Sequence, residues 1–195
     1  MSFFKPTQEE LDAAFLKAVS EHRFKRARKW LGKGASVFAT DKDGNNAFHV
    51  LTKASPRQGD SRGGYDEFLE YRGAENFIRY LQERKLDINA RNKDDKTPLH
   101  IIAANRLDNP GFASRGKKCG LIEIVLDAGA DLHAKDRDGY QALHFVSEVH
   151  AAQLLEKLGA DLMAKTYAGY FPVTFSVRDS NEELTEFYLR CKPCL

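Results

Sequence analysis

The sequence predicts an all-α protein built from a repeated helix-turn-helix unit. The first observation is a repeated phrase, GADLHAKDRDGYQALHF at 129–145, which also occurs as GASVFATDKDGNNAFHV at 34–50. The second is a helical spacing of apolar residues between the phrases, as in Leu121, Ile124 and Val125. Because a repeated unit buries its apolar face only against its neighbours, we expect the units to stack side by side.

Four copies of the phrase define the joints between units. The two weaker copies are KLDINARNKDDKTPLHI at 85–101 and GADLMAKTYAGYFPVTF at 159–175. In every copy a His or Thr lies fifteen positions after the first residue, whereas successive copies begin 51, 44 and 30 residues apart. Rigid joints therefore alternate with segments of variable length.

The motif TPLH at 97–100, together with GAD at 129–131 and 159–161, resembles the ankyrin repeat. That repeat has about 33 residues, a turn followed by two antiparallel helices. The resemblance implies a single ankyrin-repeat solenoid over residues 1–195, with short β-hairpin fingers and two long insertions between helices. The five units are predicted at 7–40, 41–91, 92–135, 136–165 and 166–195, and the insertions at 55–73 and 105–118.

Turn and capping residues at the joints fit this arrangement. Three of the four phrases begin with glycine, which adopts a left-handed backbone after a helix at least cost. Lys85 begins the remaining phrase, so we expect backbone strain or an altered cap there. Asp-x-Asp-Gly at 41–44 and 136–139 indicates tight turns, and Asn46 and Thr97 can cap the helices that follow.

Three histidines, His49, His100 and His144, recur at one position of the phrase. A metal site would need further ligands close to them, and no Cys, Asp or Glu is regularly paired with these histidines. The resemblance implies instead that each histidine forms hydrogen bonds within its turn. We therefore expect all three to be structural.

Composition and chain ends limit the classes of function. Charged residues make up 30% of the chain but the net charge is only +2, so no overall field favours nucleic acid or a membrane surface. The start has no basic segment followed by an apolar run, and no stretch approaches the roughly 18 apolar residues of a spanning helix. Cys119, Cys191 and Cys194 are too few for a disulfide framework. We expect a cytoplasmic protein without a Sec signal or membrane segment.

Two further motifs have ordinary interpretations. CKPC at 191–194 has the spacing of a redox or zinc motif, but it follows a predicted helix and nearly ends the sequence, so we interpret it as a tail. In the basic run 23–30, Ala27 and Trp30 interrupt the charges at helical spacing, which predicts a helix with one buried and one solvated face.

The sequence contains no Ser-His-Asp set, Cys-His pair, phosphate loop or metal motif, so we expect neither enzymatic activity nor a cofactor. The resemblance implies a module, monomeric on its own, that binds another protein and inhibits, neutralises or scaffolds it. A bacterial effector that acts in a host cytosol through the same binding is a second hypothesis. Two further hypotheses are nucleic-acid or lipid binding through the basic first unit, and an enzyme built on the insertions.

Candidate partner-binding residues lie at the turns and in the insertions. The resemblance implies binding through turn tips and the starts of inner helices, and Tyr and Arg are enriched at binding hot spots. The predicted residues are Lys93, Lys96, Arg137, Tyr140, Tyr167, Tyr170 and Phe171 at the joints, and Tyr65, Phe68, Tyr71, Phe112 and Arg115 in the insertions. Some of the joint rings could instead cover the end of the stack. For the insertions, mutual docking, partner binding and disorder stay open.

One modification is also predicted from the resemblance. Residues 81–90, LQERKLDINA, resemble the pattern that is hydroxylated on asparagine in ankyrin proteins. Asn89 would be the acceptor. The same residues also fit the ordinary consensus of the repeat.

Overall fold

A computed structural model describes residues 5–53, 67–104 and 120–191 of the chain. Within these ranges the protein is all-α, as predicted, with nine α-helices, one short 3₁₀ helix and no strand. The helices are α1 (Gln8–Ser20), α2 (Phe24–Gly32), α3 (Ala47–Lys53), α4 (Glu67–Glu83), α5 (Pro98–Ala104), α6 (Leu121–Asp127), the 3₁₀ helix (Ala142–Phe145), α7 (Val149–Lys157), α8 (Pro172–Arg178) and α9 (Glu182–Arg190).

Helix α1 begins at a capping box. The hydroxyl of Thr7 accepts a hydrogen bond from the Glu10 amide at 3.2 Å, and the Glu10 carboxylate accepts one from the Thr7 amide at 2.8 Å. Leu11, Phe15 and Val19, each four residues from the next, are buried. This spacing places them on one face of α1, which packs against α2 and α3.

The helices form two rows. The first helices of successive pairs, α1, α3, α5, the 3₁₀ helix and α8, contact one another in that order. Among the second helices, α2 contacts α4, α4 contacts α6, and α7 contacts α9. A continuous buried cluster runs from Leu11 in α1 to Tyr188 in α9. The described residues therefore share one hydrophobic core, to which each helix pair contributes.

Four tight turns connect the helix pairs of the described ranges, at 41–45, 92–96, 136–140 and 166–170. In each turn the amide of the first residue donates to the carbonyl of the fifth, at 2.9 to 3.0 Å, and the amide of the fourth donates to the carbonyl of the first. The flanking residues form no strand, so the predicted β-hairpins are tight turns. Each turn is closed by two backbone hydrogen bonds, which are too few to form the ladder of a β-hairpin.

Lys85 keeps the ordinary cap at its joint. Its backbone is left-handed, with φ 64°, where the other three phrases have glycine. The amide of Lys85 donates to Gln82 and the amide of Leu86 donates to Leu81, as at the glycine joints. The altered cap is therefore not formed, and the expected strain is present because a left-handed backbone costs a non-glycine residue about 1 kcal/mol.

The insertion predicted at 55–73 is partly helical. Helix α4 begins at Glu67, so the part of the predicted insertion from 67 to 73 is helical rather than loop. This segment contains no proline, and its Gly73 packs close to the ring of Phe24. The rest of that insertion, and the whole of 105–118, lie outside the described residues.

The fourth unit lacks a first α-helix. Its place is taken by the 3₁₀ helix, after which Val146 adopts an extended backbone. This unit has the shortest interval, since the phrases at 129 and 159 begin only 30 residues apart. A unit that is trimmed in this way leaves too few residues for two full helices and their connection.

Candidate binding surface

The turns bring most of the predicted joint residues to one edge of the protein. Lys93, Arg137 and Tyr167 each occupy the second position of a turn, and their amides bond to the preceding turn at Asp43, Asp94 and Asp138, over 3.0, 3.5 and 3.0 Å. Consecutive turns are therefore joined backbone to backbone. The fifth positions of the same turns are Lys96, Tyr140 and Tyr170. The structure thus aligns the predicted residues in two parallel rows.

The row of second positions is exposed and tied together. Lys93 Nζ donates to the carbonyl of Lys42 at 2.6 Å. The guanidinium of Arg137 donates to the carbonyl of Lys93 and lies 3.8 Å from a carboxylate oxygen of Asp94. Tyr167 is 71% exposed. Cations and one tyrosine ring thus face solvent along this edge.

The row of fifth positions ends in an aromatic cluster, which consists of Tyr140, His144, Phe145, Tyr170 and Phe175. Its ring centroids lie 5.2 to 6.3 Å apart in five neighbouring pairs. These distances are typical of favourable aromatic contacts. The cluster joins the fourth unit to the fifth.

Two cations flank this aromatic cluster. Lys96 Nζ lies 4.8 Å from the centroid of the Phe145 ring, and the guanidinium of Arg178 lies 5.0 Å from that of Phe175. Both distances are within the range of cation–π attraction. The positive groups therefore lie against the ring faces while their own side chains reach solvent.

A cleft of about 350 Å³ opens beside the aromatic cluster. We call it the C-terminal cleft, and it is lined by Asp94, Lys96, Asp136, Arg137, Asp138, Tyr140, His144, Phe145, Phe175 and Arg178. Three of the predicted residues, Lys96, Arg137 and Tyr140, are among them. The cleft therefore has an aromatic wall and charges of both signs around it.

Sequence reasoning missed Phe145, Phe175 and Arg178. The signal for the two phenylalanines was present, since they end the third and fourth phrases where the earlier phrases end in Val50 and Ile101. An aliphatic-to-aromatic change at one fixed position of a repeat indicates a local specialisation. No comparable signal marks Arg178, which lies beyond the phrase.

Other predicted residues fall outside the cleft. Tyr170 is 51% exposed and lies next to Phe175, at the edge of the aromatic cluster. Phe171 is half-buried under Lys165, whose Nζ lies 4.9 Å from the ring centroid. Of the insertion residues, Tyr65, Phe112 and Arg115 lie outside the described residues, as do the side chains of Phe68 and Tyr71.

The repeated histidines form hydrogen bonds within their turns, as predicted, and His49 and His100 also bond to the next turn. At His100, Nδ1 accepts from the amide of Thr97 at 3.1 Å, so Nε2 carries the proton and donates to the carbonyl of Tyr140 at 2.9 Å. His49 Nε2 bonds to the carbonyl of Lys96 at 2.9 Å in the same way. Burial lowers the pKa of His100 below its usual value, which favours the neutral ring.

His144 departs from this pattern. Its Nδ1 accepts from the amide of Gln141 at 3.1 Å, but its buried Nε2 forms no hydrogen bond with any described residue. The carbonyl of Tyr170, which is the equivalent acceptor, lies close enough to His144 to offset part of the effect of burial on its pKa, but the two groups do not form a well-aligned hydrogen bond. Burial lowers the pKa of His144 as well. The joint between the fourth and fifth units is therefore less completely bonded than the two before it.

Asn89 links two units through its side chain. Its amide nitrogen donates to the carbonyl of Gly129 at 3.0 Å, and its amide oxygen accepts from the backbone of Asp131 at 2.7 Å. The residue thus supports the joint between the second and third units. Hydroxylation of Asn89 stays a prediction.

The C-terminal thiol has no marks of a reactive site. Cys191 directly follows α9 instead of preceding a helix, and partial burial, with Glu156 nearby, raises its pKa. A raised pKa disfavours the nucleophilic thiolate. Within the described residues, no three potential metal ligands cluster together. Cys194 lies outside the described residues.

Comparisons with known proteins give no relative. No protein-family model matches the chain, and no curated protein sequence matches it. None of the helices within the described ranges is both long enough and apolar enough to cross a bilayer.

Proposed function

We propose that the chain is a non-enzymatic ankyrin-repeat module that binds another protein through the C-terminal cleft and the exposed turn residues beside it. The family assignment is supported by the repeated phrase, the paired helices and four turns with one hydrogen-bonding pattern. It is supported further by the histidine of each early joint, which bonds to the next turn.

The observation that carries the proposal is the composition of the cleft and its margin. Tyr140, Phe145 and Phe175 supply apolar surface, and Arg137 and Arg178 stand at the edge. Aromatic rings among charged and polar groups are typical of the mixed surface of a non-obligate protein–protein interface. Tyrosine and arginine are also the residue types that most often dominate binding energy, because they combine large contact area with directed hydrogen bonds.

The burial of the best hydroxyl–imidazole pair favours binding over catalysis. Thr97 Oγ1 lies 2.8 Å from His100 Nδ1, which resembles the geometry of an activated nucleophile. Both residues are 1% exposed, so a substrate cannot reach the hydroxyl. The pair instead closes the turn that precedes α5.

Inhibition, neutralisation and scaffolding would all use the same surface. A bacterial effector that acts in a host cytosol would use it too, so the identity of the partner separates these roles. The next step is affinity capture of the partner from the source organism with the full chain as bait, followed by mass spectrometry. Binding of the purified partner is then measured by calorimetry.

The decisive variant is the double substitution Tyr167→Ala and Tyr170→Ala, because both rings are largely exposed and their loss leaves the core intact. We expect the partner's affinity to fall about tenfold to a hundredfold, as at a binding hot spot. Phe38→Ala is the matched control, since Phe38 is 61% exposed but lies before the first turn. Unchanged affinity of the double variant would contradict the proposed surface, and catalytic turnover by the isolated chain would contradict the non-enzymatic assignment.

A further inference from the structure

A basic groove runs between α2 and α4, in the first two units of the protein. This open groove has a volume of roughly 940 Å³, and five of the lining residues that the structure describes are cationic, namely Arg23, Lys25, Arg26, Arg28 and Arg79. Glu83 is the carboxylate among the lining residues that the structure describes. The overall charge of the chain is only +2, so this groove concentrates positive charge locally.

The basic run 23–30 was expected to have one buried and one solvated face, and Ala27 is indeed buried while most of its cations are exposed. The structure adds a second wall to that solvated face. Helix α4 contributes Arg79 and Tyr80, about fifty residues further along the chain, opposite Arg26 and Arg28. A groove with guanidinium groups on two walls can surround an anion, which a single solvated helix face cannot do.

Arginines are held in place around Tyr80. The guanidinium of Arg28 lies 4.4 Å and that of Arg84 lies 3.5 Å from the centroid of its ring. Stacking on an aromatic ring restrains the planar guanidinium and leaves its N–H groups directed outward, which suits paired hydrogen bonds to a carboxylate. These arginine side chains are already restrained in the free protein, so they lose less conformational entropy when they bind an anion.

Few of these cations are neutralised by neighbours. Arg23 pairs with Glu21 and Arg79 with Glu75, both at 3.3 Å. Both arginines are exposed, as is Glu75, whereas Glu21 is half-buried, and pairs at such accessible positions contribute little. Lys25 forms no ion pair with any described residue. The groove is therefore available to an external anion.

The aromatic rings at the groove are already stacked on one another. His22, Phe24, Phe77 and Tyr80 form a row with centroid separations of 5.7, 4.9 and 5.9 Å and nearly parallel planes. Single-stranded nucleic acid is held by bases stacked on free aromatic faces. Because these faces already contact rings or guanidinium groups, the groove offers little stacking surface for bases.

The groove also lacks an apolar anchor for a lipid surface. The exposed large hydrophobic side chains of the described residues lie elsewhere, at Phe38, Leu158, Met163, Tyr167, Tyr170, Val177 and Leu189. Stable attachment to a bilayer generally combines basic residues with inserted apolar ones. The charges and the shape of the groove fit carboxylates presented by a peptide better than they fit a nucleic acid or a lipid surface.

We propose that this groove is a second binding site, which takes an acidic, Asp- and Glu-rich segment of a protein. It is separate from the C-terminal cleft, and its occupancy does not require that the cleft bind anything. A partner that engaged both sites would gain affinity through its two linked contacts.

The test uses the full chain and a fluorescent peptide of glutamate and glycine, followed by fluorescence anisotropy. The comparison peptide has glutamine in place of glutamate. Arg26→Glu reverses a charge in the groove, and Arg26→Gln removes it; Lys29→Glu makes the same charge reversal on the same helix outside the groove. Thermal unfolding of each variant verifies that the fold is retained.

We expect the glutamate peptide to bind and the glutamine peptide to bind at least about tenfold more weakly. Arg26→Glu should weaken binding about tenfold or more and Arg26→Gln by less, whereas Lys29→Glu should stay within about twofold of the parent. The Tyr167→Ala and Tyr170→Ala double variant should bind the peptide normally, which distinguishes this site from the cleft.

Several results would overturn the proposal. Equal binding of the two peptides, equal losses for Arg26→Glu and Lys29→Glu, or no binding of the glutamate peptide would each do so. Tighter binding of a single-stranded oligonucleotide or of phosphatidylserine vesicles than of the peptide would replace the acidic segment with that ligand.

Discussion

The joint at His100 and the joint at His144 share one sequence phrase but differ in what holds them together. At His100 both ring nitrogens are hydrogen-bonded, and the residue lies in an α-helix. At His144 one nitrogen forms no hydrogen bond with a described residue, the residue lies in a 3₁₀ helix, and the aromatic cluster fills the joint. The late joint thus has one directed hydrogen bond fewer and more ring contacts, since His100 contacts the ring of Phe145 whereas His144 contacts those of Tyr140 and Phe175. It is also the joint at which the C-terminal cleft opens.

The largest test of this comparison removes each histidine in turn. His100→Ala leaves a cavity and unpaired polar groups at Thr97 and Tyr140, so we expect a loss of about 4 kcal/mol in the free energy of unfolding. His144→Ala removes one hydrogen bond fewer and should cost about 2 kcal/mol. Denaturant unfolding measures both values. Equal losses would mean that the two joints are equally bonded.

The second test concerns the glycine at the fourth position of two turns. Gly139 and Gly169 share φ 85°, but a Cβ at Gly139 would lie 2.6 Å from the backbone nitrogen of Tyr167, whereas a Cβ at Gly169 would meet no atom within 4 Å. We expect Gly139→Ala to cost about 3 kcal/mol, because adjacent turns must separate, and Gly169→Ala about 1 kcal/mol from backbone strain alone.

Urea unfolding of the two alanine variants distinguishes strain from steric conflict. If Gly139→Ala were no worse than Gly169→Ala, the close approach between the last two turns would not limit this position. The difference between the joints at His100 and His144 would then depend on the aromatic cluster alone.

The smallest test exchanges the residues that begin two phrases. Lys85→Gly relieves a left-handed lysine with an otherwise ordinary cap, so we expect a gain of about 0.5 kcal/mol after the added flexibility of the unfolded chain is counted. Gly129→Lys introduces the same strain where a Cβ would meet no atom within 4 Å, and should cost about 1 kcal/mol. Thermal melts at one scan rate suffice. A destabilised Lys85→Gly would indicate that the lysine side chain itself supports the joint.

Much of the fold could be predicted because the phrase concentrates local rules at fixed positions. Capping at Asn46, turn formation at 136–139 and the histidine bonds within each turn depend on neighbours within a few residues, and all three are observed. The 3₁₀ helix could not be predicted in the same way, because it results from how little chain the fourth unit has left. The insertion predicted at 55–73 is helical from Glu67 onward, because the length of an interval does not show where the helix inside it begins.

The candidate sites were predictable only in part. Arg137 and Tyr140 lie at variable positions of a recognisable phrase, so their position at one edge could be expected, although Tyr140 is half-buried in the aromatic cluster. The basic groove could not be expected, since Arg26 and Arg79 are far apart in sequence and only the packing of α2 on α4 brings them to one space. Long-range contact is the information that periodicity does not contain.

The backbone link between successive turns allows the length of a unit and the side chains of its turn to change independently of each other. Since each turn bonds to the one before it through an amide and a carbonyl, the alignment of units does not depend on how many residues lie between the helices. Intervals of 51, 44 and 30 residues can therefore coexist in one stack. Insertions can be gained or trimmed, and side chains at the second and fifth turn positions exchanged, without a shift of register. Such a scaffold can acquire a new partner by small steps, each of which leaves the remainder folded.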